Sequence, residues 1–241
     1  MIDPPASGQW HMAVDQVLLE TAAESGRPSL RFYTWSEPTL SLGYFQRYAD
    51  REQHRASLDC PLVRRQTGGG AILHDRELTY SVAASALNRS TAEAQRLYDS
   101  IHTALVDVLA MRGIEARLCM LEAAPDTQAT AFLCFERRSR GDVLLGKDKI
   151  CGSAQRRLQA GILQHGSLLL ARSAAAPRLA GLSELTGKAW DIQDVLEPWR
   201  REIASRLHLA LEPQPLTPLE LDRVRQLVIE KYDAARWNRR R

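Results

Sequence analysis

From Met12 to Glu20 apolar residues return every three to four positions, with Ala13, Val14, Val17 and Leu18 on one side, and this spacing predicts a helix. The rhythm then shortens. Leu30 to Trp35 and Thr39 to Tyr44 read as strands parted by a turn at Glu37-Pro38. Pro61 to Arg65 reads as a strand running into a glycine loop, and Leu78 to Ala84, with Tyr80 and Val82, as another. The clearest helix follows. Ser90-Thr91-Ala92-Glu93 is a capping box, Leu97, Ile101, Leu105, Val108 and Leu109 recur at helical spacing, and Gly113 ends it. Residues 120–131, with Pro125-Asp126, read as loop. Asp142 to Leu145, Lys149 to Arg157 and Gly161 to Leu170 read as strands, the last two joined as a hairpin through Gln159-Ala160-Gly161.

After a loop at 172–189, one helix is predicted within 191–211, kinked or started at Pro198. A second opens at Thr217-Pro218-Leu219-Glu220, a capping box with proline at the first helical position. Strands and helices mix without strict βαβ alternation. The expected class is therefore α+β, with a mixed, largely antiparallel sheet backed by helices. Without a repeat or a linker-like stretch, residues 1–241 are expected to form a single domain.

Composition changes this picture little. At 241 residues, 44% hydrophobic and 25% charged, the chain has ample material for a core. The net charge of +3 is local: Lys231, Arg236, Arg239, Arg240 and Arg241 crowd the tail, and Arg137, Arg138 and Arg140 form a second cluster. With only 6% aromatics the chain lacks the basic, aromatic-laced face of a nucleic-acid binder, so small acidic protein partners are expected and nucleic acid is not. Plain solvated surface is the competing reading of both clusters. Cys60, Cys119, Cys134 and Cys151 include no C-x-x-C pair and no zinc-type array. There is no apolar run of the roughly 18 residues a membrane span requires, and the N-terminus does not read as a signal peptide. A reduced, cytoplasmic protein without membrane attachment is expected.

The chemistry sits in two segments. Arg64-Arg65-Gln66-Thr67-Gly68-Gly69-Gly70-Ala71-Ile72-Leu73-His74-Asp75 holds three successive glycines behind two arginines. Glycines lose most entropy on folding and add no packing, so such a loop fits a place where a ligand lies against backbone N–H groups. Gly146-Lys147-Asp148-Lys149-Ile150-Cys151-Gly152-Ser153-Ala154-Gln155 sets a lysine among small residues. Together they point to an enzyme that handles an acyl group. Strand alternation sends Arg64 and Arg65 to opposite faces, with Arg65 expected to reach the ligand and Arg64 to be structural. His74 and His165 suit substrate contact and structural hydrogen bonding equally, and Asp75 is expected to orient backbone or His74. If residues 149–157 form a regular strand, Lys149, Cys151 and Ser153 share a face, which leaves Cys134 and Cys151 as rival thiols.

Arg64-Arg65-x-x-Gly68-Gly69-Gly70-x-x-x-His74-Asp75, continued by Glu77-Leu78-Thr79-Tyr80-Ser81, resembles the signature of the lipoate/octanoate transferases and lipoate-protein ligases. Ser41-Leu42-Gly43-Tyr44-Phe45-Gln46, Lys149-Ile150-x-Gly152-Ser153-Ala154-Gln155 and Gln164-His165-Gly166-Ser167-Leu168-Leu169-Leu170 extend the likeness over most of residues 10–238. The resemblance implies the catalytic fold shared by biotin and lipoate ligases, here as a single catalytic domain over residues 1–241 with no separate C-terminal accessory domain. Cys134-Phe135-Glu136, fifteen residues before Lys149, is similar to the cysteine loop of the octanoyltransferase subgroup.

On that resemblance, Cys134 is the expected nucleophile and Lys149 the charge that favours its thiolate and shuttles a proton. Arg65, Gly68, Gly69, Gly70, Ala71 and His74 are the expected substrate-binding residues, with loop amides holding the acyl oxyanion. The implied reaction moves octanoate from octanoyl-acyl carrier protein to a lysine of a lipoyl domain or glycine-cleavage H-type protein. Its first step exchanges the carrier thioester for one on the enzyme, and the reaction needs no cofactor. The alternative is an ATP- and magnesium-dependent lipoate-protein ligase that forms an acyl-adenylate and leaves Cys134 incidental. Biotin transfer, and a non-catalytic member that only binds carrier domains, are weaker options.

Overall fold

A computed structural model describes residues 1–86, 90–120 and 131–240, so most of the loop expected at 120–131 lies outside the described residues. Helix α1 (Gly8–Ser25) precedes strands β1 (Ser29–Tyr33), β2 (Thr39–Leu42), β3 (Leu62–Arg64), β4 (Ile72–His74) and β5 (Glu77–Ser85). Helix α2 (Thr91–Ala110) leads to β6 (Ala116–Leu118), β7 (Val143–Leu145) and the hairpin of β8 (Asp148–Leu158) and β9 (Gly161–Leu169). Helices α3 (Leu182–Thr186), α4 (Ile192–Arg206) and α5 (Pro218–Leu227), a π-helical turn at Val228–Tyr232 and α6 (Ala235–Asn238) follow.

Six strands form one sheet in the order β1-β5-β9-β8-β7-β6, every neighbouring pair antiparallel. A second sheet, β3-β2-β4, combines a parallel and an antiparallel pair. The α+β class follows directly. Alternation along the long strands serves two cores. Leu78, Tyr80 and Val82 of β5 meet Leu105 and Val108 of α2 and Trp199 of α4 on one face. Ala83 and Leu163 meet Val14, Val17 and Leu18 of α1 on the other, with Val224 of α5 and Tyr232 packed behind.

Local chemistry explains most element ends. Ser7 Oγ accepts the Trp10 N–H at 3.3 Å to start α1, and Gly26 ends it in the left-handed region at φ 74°. Helix α1 begins earlier than the apolar spacing suggests because Ser7 caps it and its first turn also buries Gly8 and His11. Ser90 and Thr217 cap α2 and α5 as their sequences predict. Helix α4 is capped by Asp191 and runs through Pro198 instead of starting there. The stretch at 172–189 is not all loop, since Leu182, fully buried, anchors α3. No helix among the described residues is long and apolar enough to cross a membrane.

Candidate active site

The glycine loop between β3 and β4 abuts the Cys134–Glu136 turn. Ala71 N–H donates to Phe132 O at 3.0 Å and Cys134 N–H donates to Ala71 O at 2.7 Å. Gly70 has no room for a side chain, since a Cβ there would lie 3.1 Å from Cys134 N and from Phe132 O. Gly69 takes φ +91°, a conformation that favours glycine. Phe135 is buried against Ile72 and Leu169, which fixes the turn from below.

Lys149 arrives from β8. A bulge there, opposite Val143/Leu144, pairs Val143 with Cys151 and Leu144 with Lys149. The strand is thus irregular and the expectation of one shared face fails. The Lys149 side chain lies over Gly152, where a Cβ would meet its Nζ at 2.6 Å. Cys151 instead points into the core beside His102, with Sγ 4.0 Å from Nε2. Burial above all, reinforced by the Asp142 charge, pushes the Cys151 thiol far up. It is not the accessible thiol.

Lys149 Nζ lies 3.7 Å from Cys134 Sγ and 3.5 Å from Cys134 O. Its counter-ion is the buried Asp142 carboxylate at 2.9 Å, which also accepts Ser139 N–H at 2.7 Å and Tyr98 O–H at 2.9 Å. Burial disfavours the Lys149 charge, but Cys134 and Asp142 together outweigh it and raise its titration above the ordinary lysine value. The group is held as ammonium. Asp142 has no signal in the sequence beyond opening a predicted strand; its meeting with Lys149 depends on the bulge.

Arg65 faces inward. Nη1 donates to Ser41 O at 2.9 Å and Ser41 Oγ at 2.6 Å, Nη2 to Gly68 O at 3.1 Å and Gly70 O at 3.0 Å, and Nε to Thr67 Oγ1 at 3.4 Å. All five donors hold the loop's shape, where the sequence suggested ligand contact. Arg64 donates to Gly43 O and Gln46 O and to carbonyls of the C-terminal segment. By contrast, the amides of Gly68, Gly69 and Gly70 donate to no acceptor among the described residues.

His74 is also internal. Burial keeps it neutral against the pull of Glu77; its Nδ1–H donates to Glu77 Oε1 at 2.7 Å and its Nε2 accepts from Ser41 Oγ at 2.7 Å. Glu77, not Asp75, orients this ring, which stacks on Trp35 at 3.8 Å. His165 joins Thr67 Oγ1 at 2.7 Å to Asp15 Oδ2 at 3.0 Å, tying the loop to α1. Although burial works the other way, the His165 hydrogen bond and the Arg31 charge hold Asp15 down at about 2. A small cavity of about 10 Å³, lined in part by Met12, Tyr33, Ile72, His74, His165 and Ser167, lies behind the loop.

A thiol beside a buried ammonium, at the end of a glycine loop on this sheet, defines a site suited to acyl transfer. The fold is that of Ta0514 from T. acidophilum, solved with bound lipoic acid: TM-score 0.80, 24% identity, covering 99% of this chain and 98% of that one. Residues 7–180 match the family described as lipoyl protein ligase A/B catalytic domain, and the chain belongs to that family. It is similar to octanoyltransferase LipM of Bacillus anthracis, 31% identical over 268 residues covering 96% of this chain and 94% of the relative. The corresponding enzyme of Kyrpidia tusciae is 34% identical over 271 residues, covering 98% and 96%.

Proposed function

We propose that this protein is an octanoyltransferase of lipoate biosynthesis, working through a thioester on Cys134. The observation that carries the reading is the Lys149 ammonium 3.7 Å from the Cys134 sulfur, anchored by Asp142. An adjacent fixed cation favours the thiolate, the form that attacks. The Cys134 thiolate adds to the thioester carbonyl of octanoyl-acyl carrier protein. The oxyanion lies toward the free amides of the glycine loop; the Cys134 amide is already taken by Ala71 O. Collapse expels the carrier thiolate, which takes up a proton, and leaves octanoyl-Cys134. A neutral lysine amine of a lipoyl domain or H-type protein then attacks. The amide forms as the adduct's surplus ammonium proton leaves to solvent, and the Cys134 thiolate is released beside the Lys149 ammonium.

Arg65 and His74 serve this chemistry from within, by holding the loop, and Ala71 by docking the cysteine turn. The acyl chain enters the cavity behind the loop by parting its lining side chains. All four cysteines are free thiols, in keeping with work in the cytoplasm. The test is transfer from octanoyl-acyl carrier protein to a purified lipoyl domain without ATP. Modification of the acceptor supports the reading. Modification only when ATP, magnesium and free acid are supplied replaces it with the ligase.

A further inference from the structure

The basic tail folds back onto the mouth of the glycine loop. Arg64 Nη1 donates to Gly43 O at 2.8 Å and Gln46 O at 2.7 Å, while Nη2 donates to Asn238 O and Arg240 O, each at 3.0 Å. Trp237 Nε1 returns a hydrogen bond to Arg64 O at 2.9 Å. One buried guanidinium thus joins the C-terminal segment to the turn at residues 43–46. That turn presses on the loop, since a Cβ at Gly43 would lie 2.1 Å from Gly69 O.

Cations are set on aromatic faces along this platform. Arg240 lies 3.7 Å from the Tyr44 ring and 4.6 Å from Trp237, Arg156 lies 5.3 Å from Tyr44, and Lys231 lies 4.2 Å from Trp237. Among the described residues none of Arg156, Lys231 and Arg240 has a carboxylate within ion-pair reach. Arg223, on the neighbouring helix α5, by contrast pairs with Glu20 at 3.1 Å. Burial, together with Arg156, Arg240 and Arg223, pushes Lys231 down to about 8 against the pull of Glu20. A merely solvated face would spread such charges, whereas here they are stacked side by side and repel one another.

We propose that Arg156, Lys231 and Arg240, on their Tyr44–Trp237 shelf, dock the acidic carrier protein that delivers the acyl thioester. This rests on the octanoyltransferase reading and names the surface its donor uses. The patch is continuous with the site, since Phe45 beside Tyr44 lies over Gly68, and Gly70 backs on Cys134. Chemistry favours the donor over the acceptor. A carrier's acyl group hangs on a long arm joined through a phosphodiester, and that anion suits guanidinium forks.

The test is direct binding of purified acyl carrier protein to the intact enzyme and to Arg156→Glu and Arg240→Glu. Arg201→Glu on α4 is the control for charge, and melting temperature the control for folding. Each patch variant is expected to raise Kd about tenfold, Arg156→Gln and Arg240→Gln less, and the control not at all. Added salt should weaken wild-type binding in step. Unchanged Kd in the patch variants overturns the proposal, as does a loss of lipoyl-domain binding in place of carrier binding. Acylation of the wild type by a small octanoyl thioester is followed in parallel. Carrier binding at the patch without any acylation sinks the transferase reading and leaves the docking surface. Acylation without carrier binding does the reverse.

Discussion

Gly152 is where the Lys149 side chain crosses β8, and Gly152→Ala tests the cysteine–lysine pair without removing either member. The added Cβ would lie 2.3 Å from Lys149 Cε, 2.6 Å from Nζ and 3.1 Å from Asp142 Oδ1. Carbon contacts settle near about 3.5 Å, so the lysine head must retreat by more than about 1 Å. The atoms in the way are the far end of a flexible side chain, and alanine lowers the entropy of the unfolded chain, which offsets the loosening of the Lys149–Asp142 pair. Moving Nζ from 3.7 Å to roughly 5 Å from Sγ weakens the ammonium–thiolate attraction from about 4.5 to about 3.3 kcal/mol at an effective dielectric of about 20. The difference, about 1 kcal/mol, is about fivefold in the rate of a step that draws on that attraction. The assay is the rate of Cys134 alkylation by iodoacetamide near neutral pH, followed by peptide mass spectrometry beside octanoyl transfer. Both rates should fall about fivefold while the melting temperature moves little. A stable variant that alkylates and transfers like the parent would refute the coupling.

Asp142→Asn should leave the Lys149 ammonium buried without its counter-ion and cost about 3 kcal/mol or more of stability, read as a lower urea midpoint. An unchanged midpoint would mean the pair is not formed. Cys151→Ala should keep transfer within about twofold of wild type, because that thiol is buried in the core and held protonated; a loss approaching that of Cys134→Ala would restore Cys151 as the nucleophile. Burial lowers His11 to about 3 and His102 to about 4, and lowers His74 as well. Because unfolded histidine titrates near about 6.5, the unfolded chain takes up these protons first. Stability is therefore full above about pH 6.5 and is lost as pH falls toward 4, with His102 alone contributing about 3 kcal/mol. Urea midpoints that stay level between about pH 7 and 4.5 would contradict this.

Much of the fold was legible because its signals are local. Ser90, Thr217 and the glycine after the Gln159-Ala160 turn mark their boundaries by chemistry that acts within a few residues. The same holds for the glycine loop and the lysine segment, which carried the family. What escaped depends on partners far along the chain. Regular alternation grouped Lys149 with Cys151, but the bulge is imposed by pairing with Val143 and Leu144. Arg65 reads as the ligand arginine because strand alternation separates it from Arg64 and it lies nearer the glycine loop; Ser41, Gly68 and Gly70 take its donors only once β2 lies alongside. His74 follows the same logic through Ser41 and Glu77. Strand β6 and helix α3, three and five residues long, are too short for any period to show.

The central claim is that Cys134 carries the acyl group. Intact-protein mass spectrometry of the enzyme mixed with octanoyl-acyl carrier protein, without ATP and beside Cys134→Ala, tests it most directly. One octanoyl adduct is expected on the wild type, removed by hydroxylamine and absent from the variant. An adduct that persists in Cys134→Ala, or its absence from a wild type that modifies the acceptor only with ATP and free acid, would contradict it.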